Sequence, residues 1–226
     1  MKIIIANSKN WFNISKSISL NNEIVFINNK NDFNIDNIKK IEPKLIFLPH
    51  WNWIVPKEIY NKFECIVFHT SPLPYGRGGS PIQNLILNGF KKSPVCALKL
   101  TKNIDSGPIY KKEIISLEGS LKDIFINLNT VVNKMIDELI NYLPNPQIQD
   151  GEVFIFKRLQ EEDNLIPDNI SIKKIFDRIR MLDDESYPNA FINYGNFKID
   201  FYDAKFINGE IICKAKIINN LDKLND

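Results

Sequence analysis

The sequence is short of the residues that most often announce a specialised chemistry. Of 226 residues, only two are histidine and three are cysteine. Cys65, Cys96 and Cys213 are odd in number and widely spaced, so they build neither a zinc site nor a dithiol redox motif. They read as small buried apolar residues in a reducing compartment. No metal is expected. No run approaches the roughly 20 apolar residues of a membrane span, and MKIIIA followed by NSKNWFN has neither the length nor the cleavage site of a secretory signal. The expected location is cytoplasmic, with no membrane partner. Charge of one sign is missing as well. The 29 Lys and Arg against 27 Asp and Glu leave a formal charge of +2, no strong reason to expect a nucleic-acid partner. There is no Walker loop, no dinucleotide fingerprint and no G-x-S-x-G elbow, which disfavours a serine hydrolase.

What is present is enough apolar material, 44% of residues, to bury a sizeable core. Apolar runs at residues 2–6 (KIIIA), 23–27 (EIVFI), 44–48 (KLIFL) and 65–68 (CIVF) alternate with helix-capable segments near 30–42 and 56–62. That alternation predicts a Rossmann-like α/β domain with a mostly parallel sheet. SPIQNLILNGF (80–90) reads as a helix with Pro81 in its first turn, followed by a strand at 94–100 and a loop at 101–110. Residues 121–142 carry apolar side chains at helical spacing, from Leu121 and Ile124 to Leu139 and Ile140. Pro144 and Pro146 end that helix, and NPQIQDG (145–151) reads as a boundary. The expected division is a catalytic domain at 1–146 and a small α+β appendage at 147–226. The appendage should hold a short strand at 153–159, a helix at about 171–180 and hairpins whose clearest turn is Asn208-Gly209.

In an open parallel sheet, ligands sit beyond the carboxyl ends of the strands. Three such ends are rich in functional groups: KLIFL runs into PHWNW, CIVF into HTSPLP, and PVCALKL into TKNIDSG. The expectation is that all three converge on one edge. His69 follows its strand directly, and is either a hydrogen-bonded structural imidazole or a group that meets substrate. Asp105, in a D-S-G turn, either caps its loop or orients that imidazole and relays its proton. Gly78 and Gly79, with Gly76 and Arg77, precede a helix that starts at Ser80. They suggest an anion nest with Arg77 as a phosphate or carboxylate clamp, though a solvated arginine fits the pattern equally. Phe47, Trp51 and Trp53 beside His50 are either core residues or flat walls for a fused-ring cofactor.

Taken together, His69-Thr70-Ser71-Pro72-Leu73-Pro74 and Arg77-Gly78-Gly79-Ser80-Pro81-Ile82-Gln83 resemble the histidine and S-L-L-P … R-G … P-I-Q segments of folate-dependent formyltransferases. Asp105-Ser106-Gly107 is similar to that family's catalytic D-x-G, at the family's interval from the histidine. FKRLQEED (156–163) and IRMLDDESYPNAF (179–191) resemble segments beyond the catalytic domain of sugar nucleotide and methionyl-tRNA formyltransferases, so the likeness spans about residues 44–200. It implies 10-formyltetrahydrofolate as co-substrate, His69 and Asp105 as catalytic residues, and a pterin pocket lined by Phe47, Trp51, Trp53, Leu73 and Asp105. It also implies an acceptor held by Arg77, Gly78, Gly79, Ser80 and Gln83, and it allows a homodimer. Where the family has asparagine two residues before the histidine, this chain has Val67, so Asn52 or His50 is expected to supply the missing donor. Pro72, Asn189 and a shortened N-terminal part are further departures. A nucleotide-linked amino sugar is the expected acceptor, with the product used in surface-glycan synthesis, because the small second part and near-neutral charge argue against a large RNA. The alternatives are methionyl-tRNA, another formyl acceptor, or a non-catalytic protein that binds sugar nucleotide or folate.

Overall fold

The computed structural model describes residues 1–9 and 11–219, so the last seven positions of the expected C-terminal part lie outside it. A six-stranded sheet organises the chain. β1 (Lys2–Asn7), β2 (Glu23–Ile27), β3 (Leu45–His50), β4 (Cys65–Thr70), β6 (Lys92–Lys99) and β7 (Ile109–Ser116) are ordered β2-β1-β3-β4-β6-β7. The first four are parallel; β6 and β7 are antiparallel. β1 and β3 are apolar on both faces because both faces are covered.

On one face Ile4, Ile46 and Leu48 pack with Ile38 of α2 (Ile35–Ile41) and Ile59 of α3 (Lys57–Tyr60). On the other, Ile3, Ile5 and Phe47 pack beneath α1 (Lys16–Asn21), α4 (Pro81–Leu87) and the long α5 (Leu121–Asn141). α5 begins with a reciprocal cap: the Ser120 hydroxyl accepts from Asp123 N at 3.2 Å while the Asp123 carboxylate accepts from Ser120 N at 2.9 Å. Its buried stripe of Leu121, Ile124, Phe125, Leu128, Val132, Met135, Ile136 and Leu139 follows the helical period, each large side chain contributing roughly 1.5–3 kcal/mol.

Past residue 147 the chain keeps adding to this core. β8 (Phe154–Phe156) pairs in parallel with β5 (Tyr75–Gly78), and Phe156, Ile179, Met181, Leu182 and Ala190 join the cluster under α5. α6 (Ile172–Arg180) packs on α4 and on an antiparallel sheet of β9 (Ala190–Tyr194), β10 (Phe197–Ile207) and β11 (Glu210–Asn219). Asn208 (φ 52°) and Gly209 (φ 84°) make the tight turn between β10 and β11.

α1 leaves no trace in the sequence, because it buries only Ile18, too little to leave a period in a polar stretch, and two readings need correction. The glycine-rich turn contains a strand, β5, because β8 supplies its partner. Most consequential, β6 runs antiparallel to β4, pairing Ile66 with Lys99 and Thr70 with Val95. Its carboxyl end therefore does not converge with those of β3 and β4; an apolar run records burial, not direction.

Candidate active site

β1, β3 and β4 are parallel, so their carboxyl ends share one edge of the sheet. His69, the penultimate residue of β4, is 7% exposed. It pairs across the sheet with Cys96, so its side chain leaves from the face where Val67, Leu73, Cys96, Leu98 and Ile109 form an apolar cluster. Its Nε2 lies 2.7 Å from the carbonyl of Gly76 and its Nδ1 3.4 Å from Oδ2 of Asp105. Gly76 is required there: its φ is 80°, and a Cβ would lie 2.1 Å from the Ser71 hydroxyl.

Asp105 reaches His69 by a route that strand direction alone would not suggest. The loop after β6 starts beside Cys65, where Leu100 N donates to its carbonyl, and doubles back along β4. Asp105 sits in this loop at φ 49°, and the amide of Gly78 donates to its Oδ2 at 2.9 Å. Gly107 makes the reversal possible, since a Cβ there would be 1.7 Å from the Lys99 carbonyl oxygen. Gly107→Ala should displace the loop and with it Asp105, so we expect a lower melting temperature together with lost turnover, read by thermal unfolding and a transfer assay.

A residue that the sequence did not single out holds this loop. Gln149 donates from Nε2 to the carbonyls of Asp105 (2.7 Å) and Gly107 (2.8 Å), and its Oε1 accepts from Nε and a terminal nitrogen of Arg77 at 3.1 and 2.8 Å. It lies in NPQIQDG, where composition signals only a break. Gln149→Ala removes four hydrogen bonds around the carboxylate without touching it. We expect turnover at saturating substrates to fall by about tenfold, the equivalent of ~1.4 kcal/mol; an unchanged value would free the loop from Gln149.

These contacts revise the anion nest. Arg77 is engaged by Gln149, Gly78 N by Asp105, and Gly79 N by the Phe156 carbonyl at 3.3 Å. The Ser80 hydroxyl accepts from Leu159 N at 3.1 Å, and buried Gln83 turns inward to Met181 O and to Tyr187. The turn builds the surroundings of Asp105 and the junction with β8, and the amides of Gly78 and Gly79 are spent on those partners. Phe47 is likewise corrected: it is 0% exposed beneath α5, 6.2 Å from the ring of Phe68, and lines core rather than pocket. Trp51 packs between Phe33 and Trp53 at 4.9 Å from each, Trp53 is 37% exposed, and Leu73 lies in the apolar cluster on the face of His69. His50 and Asn52 bond each other, Nε2 to Oδ1 at 3.1 Å, and the His50 ring stands edge-on to Trp11.

At the edge of an α/β sheet the chain thus brings together a His-Asp pair, a glycine turn whose amide donates to the carboxylate, and an apolar wall beside the imidazole. Among the described residues no group of three or more His, Cys, Asp or Glu is arranged to hold a metal ion. Residues 5–122 match the family model described as Formyl transferase, and residues 161–218 the model described as Methionyl-tRNA formyltransferase, C-terminal domain. The chain belongs to the formyltransferase family.

Within that family its likeness is to methionyl-tRNA formyltransferases. The solved methionyl-tRNA formyltransferase from Clostridium thermocellum is 42% identical with a TM-score of 0.92, over 97% of this chain and 99% of that one. The methionyl-tRNA formyltransferase of Campylobacter lari is 35% identical over 175 residues, 75% of this chain and 55% of its own length. The chain thus spans about half the length of the curated relatives it matches. A 4-N formyltransferase from Francisella tularensis is 19% identical at a TM-score of 0.62, over 95% of this chain and 96% of that one, a likeness of fold alone. These similarities overturn two expectations: the nucleotide-linked amino sugar as acceptor, with its glycan role, and the absence of a nucleic-acid partner. Net charge is a poor guide to such a partner because it sums the whole chain, whereas proteins that hold RNA do so through a local surface.

Proposed function

We propose that the protein transfers the formyl group of 10-formyltetrahydrofolate to the amino group of methionyl-tRNA. The observation that carries this reading is the near end-to-end similarity to the Clostridium thermocellum methionyl-tRNA formyltransferase, together with the His69-Asp105 pair at the sheet edge.

In this reading the amine attacks the formyl carbon, a C–N bond forms, and negative charge develops on the formyl oxygen. The bond to N10 of the folate then breaks, N10 gains a proton, and the amine loses one. In this reading His69 serves the charge and the protons through Nε2, which exchanges the Gly76 carbonyl for the substrate, while Nδ1 stays on Asp105. Asp105, held by Gly78 N and by the Gln149-braced loop, fixes the ring's orientation and balances its charge. Val67, Leu73, Leu98 and Ile109 offer the pterin an apolar floor on the face of His69. Val67 packs into that floor and donates nothing, so the developing oxyanion relies on His69 and on what the bound donor itself orders.

The test is formylation of charged initiator tRNA by the purified chain with 10-formyltetrahydrofolate, read as formylmethionine released on deacylation. Product that depends on both substrates is expected. Its absence, with the protein folded and folate bound, overturns the reading.

A further inference from the structure

The tripeptide Gly76-Arg77-Gly78 addresses both members of the His69-Asp105 pair: its first carbonyl faces Nε2 and its last amide donates to the carboxylate. The strand that contains it does not aim that carbonyl. β5 and β8 pair Tyr75 with Phe154 and then Arg77 with Ile155, so Gly76 is an extra residue that the ladder passes over. A bulge of this kind bends its strand and re-aims the groups on it. Glycine at φ 80° also has more conformations open to it than any other residue, so its carbonyl stays on His69 only where something else fixes the peptide.

Ser71 supplies that hold. It is 0% exposed, and its hydroxyl donates to the Tyr75 carbonyl at 2.5 Å. That carbonyl belongs to the peptide linking Tyr75 to Gly76, so the bond fixes the plane about which the glycine's φ turns. The same hydroxyl lies close against Gly76, where a Cβ would meet it at 2.1 Å and the Phe156 ring at 2.5 Å. Ser71 is itself anchored: its carbonyl accepts from Leu73 N at 2.8 Å and from the thiol of Cys96, the register partner of His69 on β6, at 3.3 Å. The run of contacts from β6 through Ser71 and the Tyr75-Gly76 peptide ends on the imidazole.

A carbonyl can only accept, so Gly76 at 2.7 Å calls for a hydrogen on Nε2. We propose that Ser71 is a positioning residue for the transfer: by fixing the Tyr75-Gly76 peptide it keeps the Gly76 carbonyl on Nε2 and so holds the ring, with its hydrogen on that nitrogen, in the orientation that the reaction uses. The assignment rests on the formyl-transfer reading above and adds to it a residue that does not itself touch substrate. Without the hydroxyl the bulged glycine is free to turn its carbonyl away, and the ring keeps only its contact with Asp105. A smaller fraction of molecules then presents Nε2–H in the productive direction.

The chain has two histidines, so nitrogen NMR of histidine-labelled protein reads His69 directly, with His50→Gln assigning the signals. In the ligand-free wild type we expect His69 Nε2 to carry a hydrogen that exchanges slowly with water. Ser71→Ala should speed that exchange and lower kcat for formyl transfer by about tenfold at unchanged KM for 10-formyltetrahydrofolate. Ser71→Cys, whose thiol is a weaker donor, should fall between the two, and it carries the comparison if the alanine variant does not fold. A wild-type His69 with no hydrogen on Nε2 overturns the proposal whatever the variants do. So does a Ser71→Ala protein with wild-type exchange, with wild-type kcat, or with a change in KM alone. The spectra need no substrate, so a wild type that shows the Nε2 hydrogen and responds to Ser71→Ala, yet formylates no methionyl-tRNA, upholds the hold of Ser71 on His69 and removes the acceptor proposed above.

Discussion

His69→Ala should reduce formyl transfer by about 10²- to 10⁴-fold while the protein stays folded, the range for a positioned acid-base or oxyanion-stabilising group. The imidazole is buried with two polar contacts, so its removal costs some stability, and thermal unfolding is read beside turnover to separate the two effects. Turnover measured at saturating folate donor and charged tRNA should show the loss in kcat, because the charge that His69 answers exists only in the transition state. A variant with wild-type kcat would show that the Asp105-His69 pair is scaffolding. A variant that lost KM alone would make His69 a binding residue.

Arg180→Ala should destabilise the fold by about 3–5 kcal/mol, as expected when one partner of a buried ionic network is removed. The guanidinium donates to the carbonyls of Leu117 at 2.6 Å and Gly119 at 3.0 Å, pairs with Asp177 at 2.7 Å and lies over the ring of Phe176. Leu117 and Gly119 form the turn between β7 and α5, so Arg180 joins α6 to the sheet's main covering helix. Alanine would leave the buried Leu117 carbonyl, the Gly119 carbonyl and the partly buried Asp177 carboxylate short of their donor. Urea unfolding reads the effect as a lowered midpoint at constant slope. An unchanged midpoint would mean that water replaces the guanidinium at no cost. Arg180→Lys should recover only part of the stability, since an ammonium cannot reproduce the planar fork.

The elements that the sequence showed most clearly are those whose burial is written in local order. β1 and β2 begin where their apolar runs begin, and α5 carries its stripe at the predicted spacing. The elements it hid have weak local patterns. α1 buries one side chain, and β7, whose IYKKEIIS alternates around three charged residues, went unread apart from Ile109 and Tyr110 in the loop expected at 101–110. At the site, His69 and Asp105 were legible because their motifs lie at a known family interval. Gln149 was not, because nothing near it in the chain resembles its partner: Arg77 is 72 residues away. The acceptor was misjudged for a similar reason. The segments shared by sugar nucleotide and methionyl-tRNA formyltransferases report the common chemistry, and it is the 42% identity to a methionyl-tRNA formyltransferase that weighs against the sugar acceptor.

By itself the sequence determined the α/β class, the strand that carries His69, the stripe of α5 and the Asn208-Gly209 turn, and its family motif implied the pairing of a histidine with a D-x-G carboxylate. Each is set by periodicity, by the backbone freedom of particular residues, or by a motif, and all of these are local. Only the tertiary structure decided that β6 runs antiparallel, so that Asp105 returns to His69 along β4 instead of from the same edge. It also turned the amides of the glycine-rich segment toward Asp105 and Phe156, and one extra residue in β3 set His50 opposite Asn7 and against Trp11. Strand direction, register and the targets of hydrogen bonds are settled between segments tens of residues apart, where packing and the pairing of buried polar groups choose among arrangements that local sequence leaves equal.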